Sequence, residues 1–375
     1  MMKKKKTDSC VSMPLPHLPQ PLVFEILSKL PVKSLLRFKC VSKSWRSLIS
    51  DPYFIKIHLN QSSSIQTHRN IVFISNPFRP YGLYTARRDD NNIVVEKIDY
   101  LFKSNPRCQI RGCHIIGSCN GLTCFQVEFL LNCIDLKLNA YVVNLSTREL
   151  LQIPDFDYFP GNIVGVSGFG YDHCHDDYKV VKIDDNQIFV YSMRSGCWRK
   201  VEDFSNKFDF RVLENDGTQL NGAINWLRIK NPKDIIHMWQ RKFEIAAFSL
   251  VDEKVRMIPL PSTSVNTSFH NASQLGVFEG CLCILPCCDG ELWVMKEYGV
   301  EQSWTRIDTK VPIFSDMLAL LRNEVIDYTK LLLYNRTVKG PLGIHDDENE
   351  EDVYDFHATI CVDSLLSPFM EKESL

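Results

Sequence analysis

The sequence predicts a multidomain chain: a small all-α module of three helices, followed by a large all-β body of repeated units, as in a β-propeller. Three observations support this. Apolar residues between Leu18 and Leu59 recur at helical spacing. From about Ile71 onward, short β-rich runs separated by Gly, Asn, Asp and Ser turns replace that period. Within this second part, two unlike pieces of sequence recur roughly fifty residues apart.

The first predicted helix begins near Pro21, because the N–H that proline lacks would be unpaired in a first helical turn anyway. Pro31 should end this helix, since the residue before a proline is pushed out of the α region. One apolar face is formed by Leu22, Val23, Ile26, Leu27 and Leu30.

Two further short helices are expected. We predict Ser34 as the N-cap of the second helix and Ser42 as the N-cap of the third, with Asp51-Pro52 marking the end of the third. Their apolar residues are Leu35, Leu36, Phe38 and Cys40, then Trp45, Leu48 and Ile49. Because helices this short are marginal alone, the module should gain stability by packing on another surface.

The order of motifs in this module resembles the F-box. The motifs are LP at 18–19, EILSKLPVKSLLRFKCVSKSW at 25–45 and SLISDPYF at 47–54. The resemblance implies docking to the Skp-type adaptor of cullin-based ubiquitin ligases, and through it to cullin. Gln20-Pro21 departs from the family, which usually has an acidic residue in the first turn, and we expect this to tune affinity.

The resemblance leads us to expect a docking surface drawn from Leu18, Pro19, Ile26, Leu27, Leu30, Pro31, Val32, Leu35, Leu36, Cys40, Val41 and Trp45. Some of these residues must form the core of the module itself, and the sequence does not divide the two sets. An ordinary helical subdomain, whose apolar faces close on the rest of the chain, is the alternative.

The repeat predicts the architecture of the β body. A glycine turn followed by an apolar strand occurs at 117–124, 221–227 and 278–284. A strand and turn leading to an apolar or tryptophan position occurs at 141–149, 190–199, 247–254 and 292–299. The period is close to that of a kelch repeat, which forms one four-stranded propeller blade. A plain β-sandwich or a body of stacked sheets is the alternative.

The same body resembles the F-box-associated domain of plant F-box/kelch-repeat proteins, including the S-locus F-box group. The matching motifs are CNGL at 119–122, NLSTREL at 144–150, GFGYD at 168–172, DYKVVKI at 177–183, ELWVMKEYGVEQSW at 291–304 and DSLLS at 363–367. This implies an F-box that joins the ligase and a β domain that captures an unidentified protein for ubiquitination. The expected division is a basic tail at 1–14, the F-box at 15–60, a variable linker with the first strands at 61–110, and the β domain at 111–375.

Composition excludes several classes of protein. The net charge of −2 gives no overall basic excess, so we expect no nucleic-acid partner. No apolar run is long enough to span a bilayer and the N-terminus lacks a signal-peptide core, so we expect an intracellular protein, cytoplasmic or nuclear, with no membrane partner. Lys3 to Lys6 and the acidic run at 346–352 are interpreted as solvated segments, with nuclear import and the steering of a basic partner as alternatives.

The cysteines are expected to be reduced and buried rather than joined in a disulfide framework, since the 14 of them are scattered over a large chain. The nearest approaches to a metal site lack paired CxxC spacing, so we expect no metal and no cofactor. They are Cys108, Cys113, His114, Cys119 and Cys124, and separately Cys281, Cys283, Cys287 and Cys288. Residues 173–177 are interpreted as a polar turn.

Catalysis is not expected, because the sequence has no nucleophile elbow, phosphate loop, zinc-binding HExxH or dinucleotide fingerprint. The clustered Asp172, Asp176 and Asp177 fit solvated turns of a β protein. A second alternative is a propeller outside the ligase system that binds a glycan or small ligand. Four tryptophans could line such a site, although we expect them to pack between blades: Trp226, Trp239, Trp293 and Trp304.

Overall fold

The computed structural model describes residues 18–64, 69–75, 82–89, 92–98, 108–131, 135–154, 166–184, 187–201, 217–230, 242–261, 274–285, 291–308 and 357–369. Several residues interpreted above lie outside these ranges: the lysine tail, the acidic run at 346–352, Trp239, Cys287 and Cys288. In the part of the chain that the structure covers, no helix is both long and apolar enough to cross a membrane.

Helices occupy the N-terminal part of the described chain. They are α1 (Gln20–Ser28), α2 (Val32–Phe38), α3 (Lys43–Ile49) and α4 (Pro52–Ser64). The predicted end of α1 before Pro31 is confirmed, and so is the N-cap at Ser42, whose Oγ accepts a hydrogen bond from the Trp45 N–H at 3.1 Å. The prediction of Ser34 as an N-cap is wrong. Helix α2 starts earlier, because the carbonyl oxygen of Pro31 accepts the N–H groups of Ser34 and Leu35 at 2.9 and 3.1 Å.

The expected three helices become four because Asp51-Pro52 ends one helix and starts the next. Oδ1 of Asp51 accepts the N–H groups of Tyr53 and Phe54 at 2.9 and 3.2 Å, as an N-cap does. Pro52 stands at the first helical position, where its missing N–H costs nothing. Helix α4 then leads towards the first strand.

The β body consists of antiparallel strands. In chain order they are β1 (Arg69–Ser75), β2 (Gly82–Asp89), β3 (Asn92–Lys97), β4 (Cys108–Cys119), β5 (Leu122–Leu131), β6 (Asp135–Asn144), β7 (Glu149–Ile153), β8 (Val166–Asp172), β9 (Asp177–Asp184), β10 (Gln187–Ser192), β11 (Cys197–Lys200), β12 (Thr218–Leu220), β13 (Ala223–Lys230), β14 (Lys242–Ser249), β15 (Val255–Ile258), β16 (Gln274–Phe278), β17 (Cys281–Leu285), β18 (Glu291–Met295), β19 (Trp304–Asp308) and β20 (His357–Val362).

These strands form five four-stranded sheets in the described residues, in the orders β20-β1-β2-β3, β4 to β7, β8 to β11, β12 to β15 and β16 to β19. Strands β4, β8 and β12 contact one another, and β20 packs beside β4, so the first strands of the sheets lie innermost. The first sheet therefore takes its inner strand from near the C-terminus: Ile71 of β1 pairs with Ile360 of β20. The body is a five-bladed β-propeller, and the sandwich alternative does not apply.

Both recurring pieces of sequence correspond to hairpins within the blades. The glycine-turn piece joins the first two strands of a blade, as at β4–β5 and β12–β13. In these turns Asn120 and Gly121 have φ of 54° and 82°, and Asn221 and Gly222 have φ of 51° and 69°. Two successive positive φ angles are what a two-residue hairpin turn requires, and Asn-Gly adopts them readily. The other piece joins the last two strands, as at β6–β7 and β10–β11.

Buried apolar clusters hold neighbouring blades together. Trp226 is 2% exposed between the third and fourth blades, and Trp304 is 8% exposed between the fourth and fifth. Trp293 packs against the same cluster as Trp304. The predicted packing role of these three tryptophans is confirmed.

An ionic cluster also ties the third blade to the fourth, and we call it the Lys179 cluster. Nζ of Lys179, on β9, donates to Oδ2 of Asp172 at 2.7 Å, to the Leu250 carbonyl oxygen at 2.6 Å and to Oε1 of Glu253 at 3.0 Å. Asp172 is fully buried and also accepts the N–H groups of Cys174 and His175. Residues 173–176 form the predicted turn. The expectation of solvated carboxylates is wrong for Asp172 and Asp177, which are 0% and 4% exposed and accept hydrogen bonds around this turn.

Burial determines the protonation state of several cysteine thiols. It raises the thiol pKa of Cys113, Cys119 and Cys283 to about 12 each, so these thiols stay protonated near neutral pH. They are free thiols, but the expectation of burial is wrong for Cys40, Cys174 and Cys197, which are exposed. Within the described ranges, no three His, Cys, Asp or Glu side chains come together in a group that could hold a metal ion.

Candidate docking surface on the helical module

The structure divides the expected docking residues into core and surface. Leu27, Val32 and Leu35 are 1%, 1% and 0% exposed, and they pack with Ile49 and Phe54 in the core of the helical module. Their assignment to a docking surface is therefore corrected: a side chain without accessible area offers no surface to a partner. These residues were identified by helical periodicity, and apolar residues that face the core and apolar residues that face a partner follow the same periodicity.

Three exposed apolar residues lie at the start of the module, two of them on α1 and one just before it. Leu18, Leu22 and Ile26 are 55%, 48% and 52% exposed, and each follows the previous one by four positions. Leu22 and Ile26, four apart in the helix, lie one above the other on the same face, while Leu18 precedes the N-cap residue Pro19. We call these three residues the α1 stripe. Leu22 was on the predicted apolar face but outside the expected docking set.

Further exposed apolar side chains lie on the other helices. Val41, between α2 and α3, is 64% exposed, and Tyr53 at the start of α4 is 68% exposed. Nothing in the sequence pattern distinguished Tyr53 from a core aromatic residue. Of the remaining expected residues, Pro19, Pro31 and Cys40 are exposed, while Leu30, Leu36 and Trp45 are partly buried.

This concentration of apolar surface is specific to the helical module. Five of the eight exposed large apolar side chains in the described residues belong to it, although the propeller is several times larger. A soluble domain rarely leaves apolar groups together in water unless they meet a partner. The α1 stripe with Val41 and Tyr53 is therefore the candidate site.

The helical module also exposes an excess of basic residues. Between residues 18 and 64 the chain has seven Lys and Arg but only two Asp and Glu, and six of the seven basic residues are exposed. Glu25 pairs with Lys29 at 2.8 Å, and this hydrogen bond lowers the pKa of the Glu25 carboxyl. The surface suits a partner with apolar groups flanked by acidic ones.

The propeller also has a cleft, between the second and third blades. It is lined by Leu138 and Asn139 of β6, Lys182 of β9 and Trp198 of β11, among others. Leu138 and Lys182 lie in the halves of β6 and β9 away from the β6–β7 and β8–β9 turns, whereas Trp198 directly follows the β10–β11 turn. The turn at residues 145–148, by contrast, faces the helical module through the contacts of Asn144 described below. The lining of the cleft therefore extends from residues near the turn-bearing side of these blades to residues away from it.

Comparison with known proteins assigns both parts of the chain. The F-box domain family matches residues 15–57, and the family described as the F-box associated beta propeller domain matches residues 65–345. An F-box/kelch-repeat protein of Arabidopsis thaliana is 28% identical over 81% of this chain and 82% of its own length. The F-box protein CPR1 of the same plant is 26% identical, over 84% of this chain and 79% of its own.

Solved structures show weaker likeness. An α-L-arabinofuranosidase of Fusarium graminearum has a TM-score of 0.42 at 9% identity, covering 66% of this chain and 79% of its own. A thermostable family-43 glycoside hydrolase has a TM-score of 0.34 at 10% identity, and the match covers 66% of this chain and 91% of the hydrolase. Likeness at this level carries no information about the activity of this chain. The family matches, the helical module and the five blades together show that the chain belongs to the F-box proteins with an F-box-associated β-propeller domain.

Proposed function

We propose that this chain is the substrate-recognition subunit of an SCF-type ubiquitin ligase. Its F-box docks the Skp-type adaptor, and through the adaptor cullin, while its propeller captures a target protein for ubiquitination. The observation that supports this most is the α1 stripe: apolar side chains about half exposed on a module whose family implies an adaptor. The ligase role implies an intracellular location, in the cytoplasm or the nucleus.

The proposed role is non-catalytic. A receptor of this kind raises the effective concentration of target lysines near a ubiquitin-loaded partner, and it needs no reactive side chain of its own. The carboxylates that a catalytic hypothesis would use are engaged structurally: Asp172 in the Lys179 cluster and Asp177 with Ser192 and the Arg194 N–H. This arrangement favours an adaptor over an enzyme.

Target capture is proposed for the propeller face away from the F-box. The F-box covers part of the opposite face, near the hairpin turn at residues 145–148. The cleft between the second and third blades offers apolar Leu138 and Trp198 together with polar Asn139 and Lys182. Such a mixture suits a short protein segment with both apolar and polar side chains.

Binding of purified Skp-type adaptor to the full-length chain tests the proposal. Ile26→Asp should weaken binding at least tenfold, about 1.4 kcal/mol or more, because it places a charge where an apolar contact is expected. Met257→Asp is the matched control: Met257 is 38% exposed, on β15 of the propeller, and its replacement should leave adaptor binding unchanged.

Two results would overturn the proposal. One is the absence of adaptor binding by the folded wild-type chain. The other is equal weakening by the Ile26 and Met257 substitutions, which would show that the F-box surface has no special part in docking. Thermal unfolding of each variant, measured in parallel, separates loss of the surface from loss of the fold.

A further inference from the structure

The short segment after the last propeller strand contributes to the core of the F-box. Leu365 is 4% exposed and belongs to the same buried cluster as Leu27, Leu35 and Phe54. It follows β20, which is the inner strand of the first blade. A residue near the C-terminus therefore fills space between helices near the N-terminus. We call residues 363–369 the C-terminal strap.

A fully buried asparagine holds this strap on the second blade. Nδ2 of Asn144 donates to the carbonyl oxygens of Ser364 and Leu366 at 2.9 and 2.7 Å. Its Oδ1 accepts the N–H groups of Ser146 and Thr147 at 2.8 and 3.1 Å. One side chain thus joins the strap to the β6–β7 turn and orders that turn at the same time. Because Asn144 is 0% exposed, water cannot replace these bonds.

Two more contacts fix the start of the strap. Oδ1 of Asp363 accepts hydrogen bonds from Nδ2 of Asn70 at 2.8 Å and from Oγ of Ser146 at 2.7 Å. Gly121, with φ of 82°, lies so close that a Cβ on it would be 2.2 Å from Cβ of Ser364. The strap is therefore held by β1, by the β4–β5 turn and by the β6–β7 turn, all at one face of the propeller.

The F-box has a physical reason to need this strap. A unit of four short helices buries little apolar surface by itself, so each core residue contributes a large share of its stability. Among the described residues, another link to the propeller is the packing of α4 beside β20. Lys39 adds a weaker electrostatic link: burial lowers the pKa of its ammonium group, and the charge of Glu149 on β7 opposes that shift.

We propose that the C-terminal strap completes the F-box core and holds the F-box in one orientation on the propeller. Leu365 is then a positioning residue for adaptor docking, although it lies outside the F-box sequence. The consequence for docking rests on the proposed ligase function. A fixed orientation would keep the distance between the adaptor and the captured target constant, which favours transfer to a defined set of lysines.

The test compares full-length variants by hydrogen–deuterium exchange and by affinity for purified Skp-type adaptor. In Leu365→Ala, amides of α2 and α3 should exchange at least about tenfold faster, because a leucine-sized cavity weakens the core that protects them. Adaptor affinity should fall at least about threefold, which corresponds to about two thirds of the F-box population being open and unable to bind. Leu365→Met, which nearly conserves volume, should restore both quantities to within about twofold of wild type.

Leu282→Ala is the matched control, because Leu282 is equally buried, at 1% exposed, between the fourth and fifth blades. It should speed exchange in β17 and leave α2, α3 and adaptor affinity unchanged. Unchanged exchange of α2 and α3 in Leu365→Ala would overturn the strap proposal, as would failure of Leu365→Met to restore them. If the wild-type chain did not bind the adaptor, the ligase function would fail, while the exchange data would still decide whether the strap completes the core.

Discussion

Replacement of Lys179 by methionine should destabilise the propeller by about 3–5 kcal/mol, the usual cost of leaving a buried charge without its partner. The lysine is 5% exposed, and three oxygen atoms lie within 3.0 Å of its Nζ. Methionine keeps much of the length of the side chain but offers no donor. Asp172 would then retain only the N–H groups of Cys174 and His175 and the His175 ring.

For a domain of this size, the loss corresponds to a decrease in Tm of roughly 6–10 °C. Urea unfolding monitored by tryptophan fluorescence suits the measurement, because Trp226 is buried where the third and fourth blades meet. Lys254→Met is the matched control, since Lys254 is exposed, in the loop between β14 and β15. It should change stability by less than about 0.5 kcal/mol.

The effect should also depend on pH, with a definite sign. Burial by itself raises the pKa of Asp172, but hydrogen bonds from Lys179 and His175 outweigh it and hold the pKa below its ordinary value of 3.8. In the wild type this carboxylate stabilises the fold above that value, and the contribution is lost as the pH falls through the lower folded pKa. Without Lys179 the effect of burial prevails, so the folded pKa rises and protonation relieves the unpaired charge. The stability difference between the two proteins should therefore narrow below about pH 4.

A difference that stayed constant from pH 7 to pH 3, or a loss below about 1 kcal/mol at pH 7, would refute this reasoning. The double variant Asp172→Asn with Lys179→Met gives an independent check. It removes both charges, so it should recover part of the stability that the single lysine substitution loses.

Three further predictions concern the F-box and the cysteines. Leu35→Ala should destabilise the F-box by about 2–5 kcal/mol, because the Leu35 side chain is buried. Ile26→Ala should destabilise it by less than about 1 kcal/mol, because the Ile26 side chain is already about half exposed. Hydrogen–deuterium exchange of F-box amides measures both changes. Adaptor association should slow as ionic strength rises from about 50 to about 300 mM, because the exposed basic residues of the F-box would steer an acidic partner. Stopped-flow mixing measures the association rate, and a salt-independent rate would contradict the prediction. Iodoacetamide at pH 8 should modify exposed Cys174 but not Cys119, whose buried thiol has a pKa of about 12; equal modification in the folded protein would argue against the core packing.

Local patterns in the sequence predicted the features that depend on local physics. The glycine turns predicted at Asn120-Gly121 and Asn221-Gly222 are hairpin turns in the structure, because Asn-Gly adopts two successive positive φ angles readily. Ser42 marked a helix start because its hydroxyl can accept an N–H of the first turn. Asp51-Pro52 was predicted only to end the third helix, and helix α4 was missed because the same pair of residues can end one helix and begin another.

The missed features depend on contacts between residues far apart in the chain. Periodicity showed that Ile26 and Leu27 belong to apolar positions, but the structure buries Leu27 and leaves Ile26 half exposed. Part of what covers the F-box core is Leu365, whose position follows from the pairing of β20 with β1. No window of sequence around the F-box contains that information, so neither the strap nor the division of core from surface could be predicted.

Hydrogen–deuterium exchange of the full-length wild-type chain, with and without saturating Skp-type adaptor, tests the proposed docking most directly. We predict slower exchange in α1, in residues 39–45 and at the start of α4 when the adaptor is bound, with β8 to β19 unchanged. Protection confined to the propeller, or no protection of α1 in a complex shown to form, would contradict the proposal that the F-box surface docks the adaptor.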